Sequence, residues 1–380
     1  MSAHPNLPVA RNATDDAAIS RANTLVDQGI TSSEQVEKLE ALLGSYLGGR
    51  RVRAVSSASA AIELALRICA VGPGDEVIVA ALDSIAPHVI AKVGATPVFV
   101  DVKPGTGHLD LAAVAARIGP RTRVLIPEHV AGLPVPLDDL YSLARQHRLR
   151  VIENASNALG ASWRGKRIGS CGDICVFAFA ANDKVPTIDG GAIVLAEEYD
   201  ARKLNRPPFH NDAAALSPAA LTTALASEQF VMPELHAPIG ALHLQRLALD
   251  RQKRRALAQR YVANFRSDLP CVLPHPGYSD DEQGHGWHSF TLLLPLHCMS
   301  TSREQFREAL ERRRIDTAVP FLATHLTQAF RDLGYRRGDL PQTERIAATA
   351  VTLPLSPTMS DSDIDRVCAA CDHVLRASRT

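Results

Sequence analysis

The feature that most constrains the fold is a change of hydrophobic period after position 50. From there onward, short runs rich in valine and isoleucine alternate with amphipathic stretches long enough to form crossover helices. Apolar runs without polar alternation are typical of parallel strands that are buried on both faces. The sequence therefore predicts a doubly wound α/β domain with a mostly parallel sheet. The predicted strands are 51–55, 76–80, 96–100, 122–127, 150–153, 174–179 and 192–196.

The length of the chain predicts two domains. It has 380 residues, whereas a single hydrophobic core stops growing at roughly 250 to 300 residues. A helical segment is predicted at 14–48, and a helix-like stretch covers 235–249, where Pro238 is compatible only with the first turn. We therefore expect a large α/β domain at 1–249, which includes the N-terminal helical segment, and a smaller α+β domain at 250–380.

The composition of the chain argues against several kinds of binding partner and of structural cross-link. Lys plus Arg equals Asp plus Glu at 41 each, so no global charge favours nucleic acid or an anionic membrane. The N-terminus lacks a basic region followed by an apolar one, and no apolar run approaches the length of a membrane span, so we expect a cytoplasmic protein. The seven cysteines argue against a disulfide framework. Cys368 and Cys371 have helical spacing, which favours a helix core over a metal site, and no metal is expected.

A series of motifs then occurs in order along most of the chain. It comprises VSSASAAIELAL at 55–66, GPGDEVIV at 72–79, GATPVFVDV at 94–102, RGKRIGS at 164–170, DGGA at 189–192, WHSF at 287–290 and LPL at 353–355. The series resembles the DegT/StrS family of pyridoxal-phosphate-dependent sugar aminotransferases, most closely the branch that aminates 4-keto-arabinose sugars. The resemblance implies the fold-type-I aminotransferase fold.

The resemblance also implies a pyridoxal phosphate (PLP) site whose parts can be compared position by position. In such a site a carboxylate keeps the pyridine nitrogen protonated, and small hydroxyl residues at a helix N-terminus hold the phosphate. Here Ser57, Ala58 and Ser59 match the phosphate-binding turn. Asn154 matches the carboxylate position, and Asn157 matches the Gln/His that follows it in the family's motif. The phosphate turn is thus partly kept, whereas the charge at the ring nitrogen is replaced by a neutral amide.

Other matching positions also differ from the family. Asp183 falls on the lysine that forms the Schiff base, and Lys184 follows it; Ala178 stands for a phosphate-binding serine. Ser84 matches the stacking aromatic residue, and Gln229 matches an asparagine that reaches over from the second subunit. These replacements predict a divergent member with a degenerate site and no cofactor. PLP is expected only if a change in the loop brings Lys184 to the lysine position.

The replacements are nevertheless polar, and they fall at predicted strand ends together with Asp83. We therefore take Asp183, Lys184, His129 and Glu128 as candidate catalytic residues, since an acid, an amine and an imidazole in one cleft can transfer protons. For His129 a structural hydrogen bond under the site is an equal alternative.

The resemblance also makes predictions about substrate binding, from three histidines, and about subunit assembly, from the segment around residue 230. His210, His325 and His236 match family histidines near the substrate and are candidate binding residues. Gln229 and His236 lie in a segment that crosses to the neighbouring active site in the family, which implies a homodimer with shared sites. The expected ligand is a small molecule.

Three functions remain open. The first is cofactor-free acid/base chemistry, such as dehydration, cyclisation or isomerisation, on a sugar-like or secondary-metabolite substrate in the former cofactor cleft. The second is a working PLP-dependent sugar aminotransferase that uses Lys184. The third is an inert homologue that regulates a partner enzyme.

Overall fold

The computed structural model describes residues 5–9, 20, 23–24, 27, 34–83, 85–179, 187, 189–196, 230–265, 271–278, 281 and 284–378. Most of the predicted helical segment before position 34 lies outside these residues. Five candidate site residues also lie outside them: Ser84, Asp183, Lys184, His210 and Gln229.

A seven-stranded sheet forms the centre of the fold, and its strands lie where the apolar runs predicted them. The order across the sheet is β1-β9-β8-β5-β4-β2-β3. Neighbouring strands are parallel from β8 through β5, β4 and β2 to β3, which confirms the mostly parallel α/β prediction. The bounds are β1 Arg51–Val55, β2 Glu76–Ala80, β3 Thr96–Val100, β4 Thr122–Ile126, β5 Arg150–Asn154, β8 Ile174–Ala178 and β9 Gly191–Leu195, with a small hairpin of β6 Ser162–Trp163 and β7 Lys166–Arg167.

One strand, β9, runs against the direction of the other strands of the sheet. β9 pairs antiparallel with β8, and β1 pairs antiparallel with β9. β9 is a continuous, fully buried apolar run, so its composition resembles that of the parallel strands. A buried run reports that both faces are covered, and it carries no information about strand direction. β1 therefore runs in the same direction as β8 and the other strands, and only the expectation that β9 is parallel is wrong.

Helices cover both faces of the sheet, so that alternate residues of one strand belong to different cores. In β2, Ile78 and Ala80 pack into one hydrophobic cluster, whereas Val77 and Val79 pack into the other. This is the reason the strands lack polar alternation. The helices are α1 Glu34–Tyr46, α2 Ala58–Ile68, α3 Ala86–Lys92, α4 Leu111–Arg117, α5 Leu137–Gln146, α6 Ala237–Asn264, α7 Arg303–Glu311, α8 Pro341–Thr349 and α9 Asp361–Ala377.

The C-terminal part of the chain has its own apolar cluster. It is built around an antiparallel pair, β10 Phe290–Leu293 and β11 Ala350–Leu353, with α7 and α9 packed nearby. Cys368 and Cys371 on α9 belong to this cluster, which confirms their predicted place in a helix core. Pro238 lies in the first turn of α6, as expected, and α6 runs on through position 250. The division into domains at 249/250 stays a prediction.

The sequence predicts no membrane-spanning segment. In the part of the chain that the structure describes, no helix combines the length and the apolar character needed to cross a bilayer.

A glycine after β4 joins the sheet to the segment that carries the WHSF motif. Gly132 has φ +90°, its carbonyl accepts the Gly286 N–H at 2.7 Å, and the Ala131 carbonyl accepts the His288 N–H at 3.0 Å. A Cβ at Gly132 would lie 2.9 Å from the His288 backbone nitrogen and 3.1 Å from the Asn157 carbonyl oxygen. Only glycine satisfies both the backbone conformation and the close approach.

We expect Gly132→Ala to lower the free energy of unfolding by about 2 kcal/mol or more, because the new methyl group meets backbone atoms that cannot move independently. Gly105→Ala is the matched control, since a Cβ there would have no heavy atom within 4 Å. Urea unfolding followed by circular dichroism measures both. Equal midpoints for the two variants would contradict this interpretation of Gly132.

Candidate active site

Three adjacent parallel strands bring polar side chains to one edge of the sheet. Asn154 is the last residue of β5, Glu128 follows β4, and Asp83 follows β2. Because β5, β4 and β2 are neighbours in the sheet, their carboxyl ends open on the same side. This is the edge where ligands of open α/β sheets bind.

The orientation of the Asn154 amide is fixed by its partners. Its Oδ1 accepts the Ser156 backbone N–H at 3.2 Å and the Ser156 hydroxyl at 2.7 Å. Its Nδ2 donates to Asp83 Oδ2 at 2.9 Å. Since a backbone N–H can only donate, the oxygen of the amide must face Ser156 and the nitrogen must face Asp83. The Asn154 side chain is 2% exposed, so no competing water contact is needed to explain this order.

Asp83 is a buried carboxyl group with three hydrogen-bond donors. Besides the Asn154 amide, the backbone N–H groups of Ile85 and Ala86 donate to its Oδ1 at 2.8 and 3.0 Å. Burial raises the pKa of Asp83, while the bonds from Ala86, Asn154 and Ile85 act in the opposite direction. Three donors and no acceptor favour the ionised form of this carboxyl group.

Glu128 is also a carboxyl group at this edge, but it has little support. Its Oε1 accepts the Asn157 amide at a long 3.4 Å, and its Oε2 is buried without a hydrogen-bond partner. Burial raises the pKa of Glu128 to about 8, and the negative charge of Asp83 adds to the effect. Two buried carboxyl groups that sense each other do not both ionise readily. Because Asp83 has the donors, Glu128 is the member that keeps the proton at neutral pH.

His129 lies beneath this edge in a closed hydrogen-bond network. The Val135 backbone N–H donates to His129 Nδ1 at 3.0 Å, so Nε2 carries the proton and donates to Glu153 Oε2 at 3.1 Å. The Tyr141 hydroxyl donates to Glu153 Oε1 at 2.6 Å. Both nitrogens of this fully buried ring are occupied within the protein, which favours the structural interpretation of His129 over a catalytic one.

The turn from β1 into α2 is the expected phosphate-binding segment. Ser57 is extended, with φ −165°, and its hydroxyl accepts the Ala60 N–H at 3.1 Å. The first-turn N–H groups of Ala58 and Ser59 have no acceptor within the helix, as at every helix N-terminus. Gly191, at the start of β9, packs so closely that a Cβ would lie 2.8 Å from the Ser57 carbonyl oxygen. The turn is therefore held in place from the sheet side.

The remaining described candidates lie around this edge without direct bonds to the carboxyl pair. Ala178 ends β8. His236 precedes α6, and its Nδ1 lies 2.9 Å from the Asp189 carbonyl oxygen. His325 is fully buried, with Nε2 3.4 Å from Glu344 Oε1 and Nδ1 without a hydrogen-bond partner. Their proposed binding roles stay predictions.

Two residues that sequence reasoning missed connect the site. Ser156 fixes the Asn154 amide, and its position two residues after an asparagine is the signature of an Asx turn, which could have revealed it. Thr324 donates through its hydroxyl to the Asp83 carbonyl at 3.0 Å and through its N–H to the Ala81 carbonyl at 2.9 Å. No local signal in the sequence predicts that long-range contact. Among the described residues, no group of three His, Cys, Asp or Glu side chains could hold a metal ion.

The raised pKa of Glu128 makes a prediction about stability. Its folded pKa of about 8 lies above the ordinary value of 4.5, so the folded state holds a proton that the unfolded state releases between these pH values. The stability that the Glu128 proton contributes is fully present below about pH 4.5, and it is lost as the pH rises towards 8. Glu128→Gln removes this loss, and we expect it to gain about 1 to 3 kcal/mol relative to the wild type between pH 5 and pH 8.

The measurement is the free energy of unfolding in urea at several pH values. Glu311→Gln, at the exposed end of α7, removes an exposed carboxylate and serves as the control. Parallel pH dependences for the wild type and Glu128→Gln would show that Glu128 ionises normally.

Comparison with known proteins places this geometry in a family. A model of the DegT/DnrJ/EryC1/StrS aminotransferase family matches residues 13–372. The structure of S. venezuelae DesV in complex with a ketimine intermediate is 30% identical, with a TM-score of 0.86, and the match covers 98% of this chain and 99% of that chain. DesI, solved in the presence of its TDP-sugar product, is 28% identical, with a TM-score of 0.82 and coverage of 98% and 94%.

A protein from Streptococcus pneumoniae assigned as a sugar aminotransferase has the same fold. Its PMP form is 24% identical to this chain, with a TM-score of 0.87 and coverage of 98% of both chains. It has also been solved in a PLP form.

These matches overturn the expectation that no cofactor is bound. The family is one of aminotransferases, and proteins of this fold have been solved in PLP and PMP forms. The replacements at the matching positions predict loss of the cofactor, and this prediction is wrong. The fold-type-I prediction is confirmed by the structural matches. The chain belongs to the DegT/DnrJ/EryC1/StrS aminotransferase family.

Proposed function

We propose that this protein is a PLP-dependent aminotransferase that acts on a keto sugar. The observation that carries the proposal is the buried Asp83–Asn154 pair at the carboxyl ends of β2 and β5, which holds a carboxylate at this edge of the sheet. Membership of an aminotransferase family supports the reaction class. The TDP-sugar product of DesI, which is 28% identical, supports a nucleotide-linked sugar as substrate.

The described residues fit a phosphorylated pyridine. The N-terminus of α2 offers backbone N–H groups and a positive dipole end for a phosphate dianion. The Asp83 carboxylate would supply negative charge near a protonated ring, where low polarity strengthens the interaction. When bound, PLP supplies the electron sink that allows an amino group to be exchanged with a carbonyl carbon. The chain's own residues bind the phosphate, orient the ring and keep the cleft polar.

The lysine that holds the cofactor is proposed to be Lys184. It is the basic side chain next to Asp183, which stands at the family's lysine position. We further propose a homodimer with shared sites, on the strength of the match between 229–236 and the family segment that crosses between subunits. Sedimentation velocity at micromolar concentration tests the homodimer directly.

Trapping with borohydride tests the role of Lys184. Incubation of the protein with PLP, reduction and peptide mass spectrometry should place the reduced cofactor on Lys184, because an amine bound to the PLP aldehyde becomes irreversibly attached on reduction. Lys184→Ala should lose the adduct. Lys166→Ala, in the exposed strand β7, should retain it. A wild-type protein without any adduct at saturating PLP would contradict the proposed function.

Ser57 provides a second test, which concerns the phosphate. We expect Ser57→Ala to weaken PLP binding about fivefold to tenfold, because the helix N-terminus loses its hydroxyl and its cap. Binding of pyridoxal, which lacks the phosphate, should be unchanged. Ser302→Ala removes an equivalent cap from α7, far from the phosphate turn in sequence, and should alter neither affinity. Equal losses for PLP and pyridoxal in Ser57→Ala would show that the turn does not hold the phosphate. Titration of protein fluorescence measures both ligands.

A further inference from the structure

Asp83, Glu128 and Asn154 form a polar cluster at the ends of β2, β4 and β5. Most of the side-chain oxygens in this cluster already accept hydrogen bonds. Both oxygens of Asp83 and the oxygen of Asn154 have donors, and Glu128 Oε1 has the Asn157 amide. Among the described residues of the cluster, one side-chain oxygen has no hydrogen-bond partner, namely Glu128 Oε2, and this atom is buried. A buried polar atom without a partner costs about 1 to 3 kcal/mol, so its persistence points to a ligand that completes it.

Asn154 does not fill the role that a carboxylate would have at its position. Its oxygen is committed to Ser156 and one N–H to Asp83, so the amide can present only its second N–H to a ligand. An N–H donor cannot accept a hydrogen bond from a protonated ring nitrogen. A ring nitrogen that needs an acidic partner must therefore find it in a neighbouring strand.

Glu128 occupies the matching level of that neighbouring strand. Glu128 and Asn154 form a parallel bridge, in which the His129 N–H donates to the Asn154 carbonyl at 3.1 Å and the Asn154 N–H donates to the Pro127 carbonyl at 2.8 Å. Bridged residues of adjacent strands lie about 5 Å apart. A group that lies over Asn154 is thus within reach of the longer Glu128 side chain.

We propose that Glu128 is the acid that meets the ring nitrogen of the cofactor, with Asp83 as the charged group behind it. This inference rests on the proposed binding of PLP. The Glu128 O–H hydrogen-bonds to the pyridine nitrogen, and the proton passes from the carboxyl oxygen to the nitrogen, which leaves a carboxylate beside a pyridinium N–H. Net charge is conserved in the transfer. The carboxylate of this chain has therefore moved from the end of β5 to the end of β4.

The test compares PLP with its carbocyclic analogue 1-deaza-PLP, in which a C–H replaces the ring nitrogen. The wild type should bind PLP at least about tenfold more tightly than the analogue, because a charge-assisted hydrogen bond is lost with the nitrogen. In Glu128→Met, which keeps the length of the side chain, the ratio of the two dissociation constants should fall towards 1. Glu311→Met, at the exposed end of α7, should keep the wild-type ratio.

Nitrogen-15 NMR of bound, ring-labelled PLP gives a readout that does not depend on turnover or on the Met variant. The chemical shift should report a protonated nitrogen in the wild type and an unprotonated nitrogen in Glu128→Gln, which keeps the shape of the side chain but has no proton to release.

An unchanged PLP preference in Glu128→Met, or a protonated nitrogen in Glu128→Gln, would overturn the role of Glu128 while PLP binding itself stands. Absence of PLP binding to the wild type would overturn the proposed function and this inference together.

Discussion

The Asp83 carboxylate is the interaction on which the arrangement of the cleft depends. It receives two backbone N–H groups at the start of α3 and the amide of Asn154 from the end of β5. The carbonyl of the same residue receives the hydroxyl of Thr324, which comes from the C-terminal part of the chain. A buried charge is tolerated only when its hydrogen bonds are made, so this requirement holds the start of α3 and the end of β5 in mutual register, and the backbone bond from Thr324 ties the C-terminal part to the same residue.

This requirement also determines the state of Glu128. The carboxyl groups of Asp83 and Glu128 lie at the same poorly solvated edge of the sheet. Asp83 accepts three hydrogen bonds there, whereas Glu128 accepts one long hydrogen bond. The donors set Asp83 as the anion, and its charge together with burial raises the pKa of Glu128 to about 8. A neutral acid next to a fixed anion can transfer a proton to a basic ligand at little cost, because the resulting cation is attracted by both negative groups. The cluster is thus suited to a protonatable ring.

Sequence patterns predicted the sheet well because burial on both faces leaves a visible signature. Predicted and observed bounds agree within one residue for the strands from β1 to β9 in the main sheet, as for Thr96–Val100. The direction of β9 could not be predicted, since an apolar run is the same in either direction. The contact of Thr324 with Asp83 joins distant positions, and only the folded chain brings them together.

The site was harder to predict because residue-by-residue matching assumes that each role stays at its position. Asn154 in place of a carboxylate suggested a loss, although Asp83 and Glu128 supply two carboxyl groups one or two strands away. From the sequence alone, His129 and Glu128 are both candidate catalytic residues. Successive residues at a strand end point to opposite sides, so Glu128 faces the cleft edge while His129 turns into the closed network with Glu153 and Tyr141.

Glu153, which is fully buried, and Glu128, which is partly buried, differ in how completely their hydrogen bonds are made. Glu153 accepts bonds from His129 and Tyr141 at both oxygens, and a Cβ at Gly172 would collide with this network, so nothing further can enter. Glu128 has one long bond and one oxygen without any. A fully satisfied buried acid stabilises the fold by itself, whereas an incompletely satisfied one lowers stability until a ligand binds. A ligand that supplies the missing hydrogen bond to Glu128 would therefore remove this loss of stability when it binds.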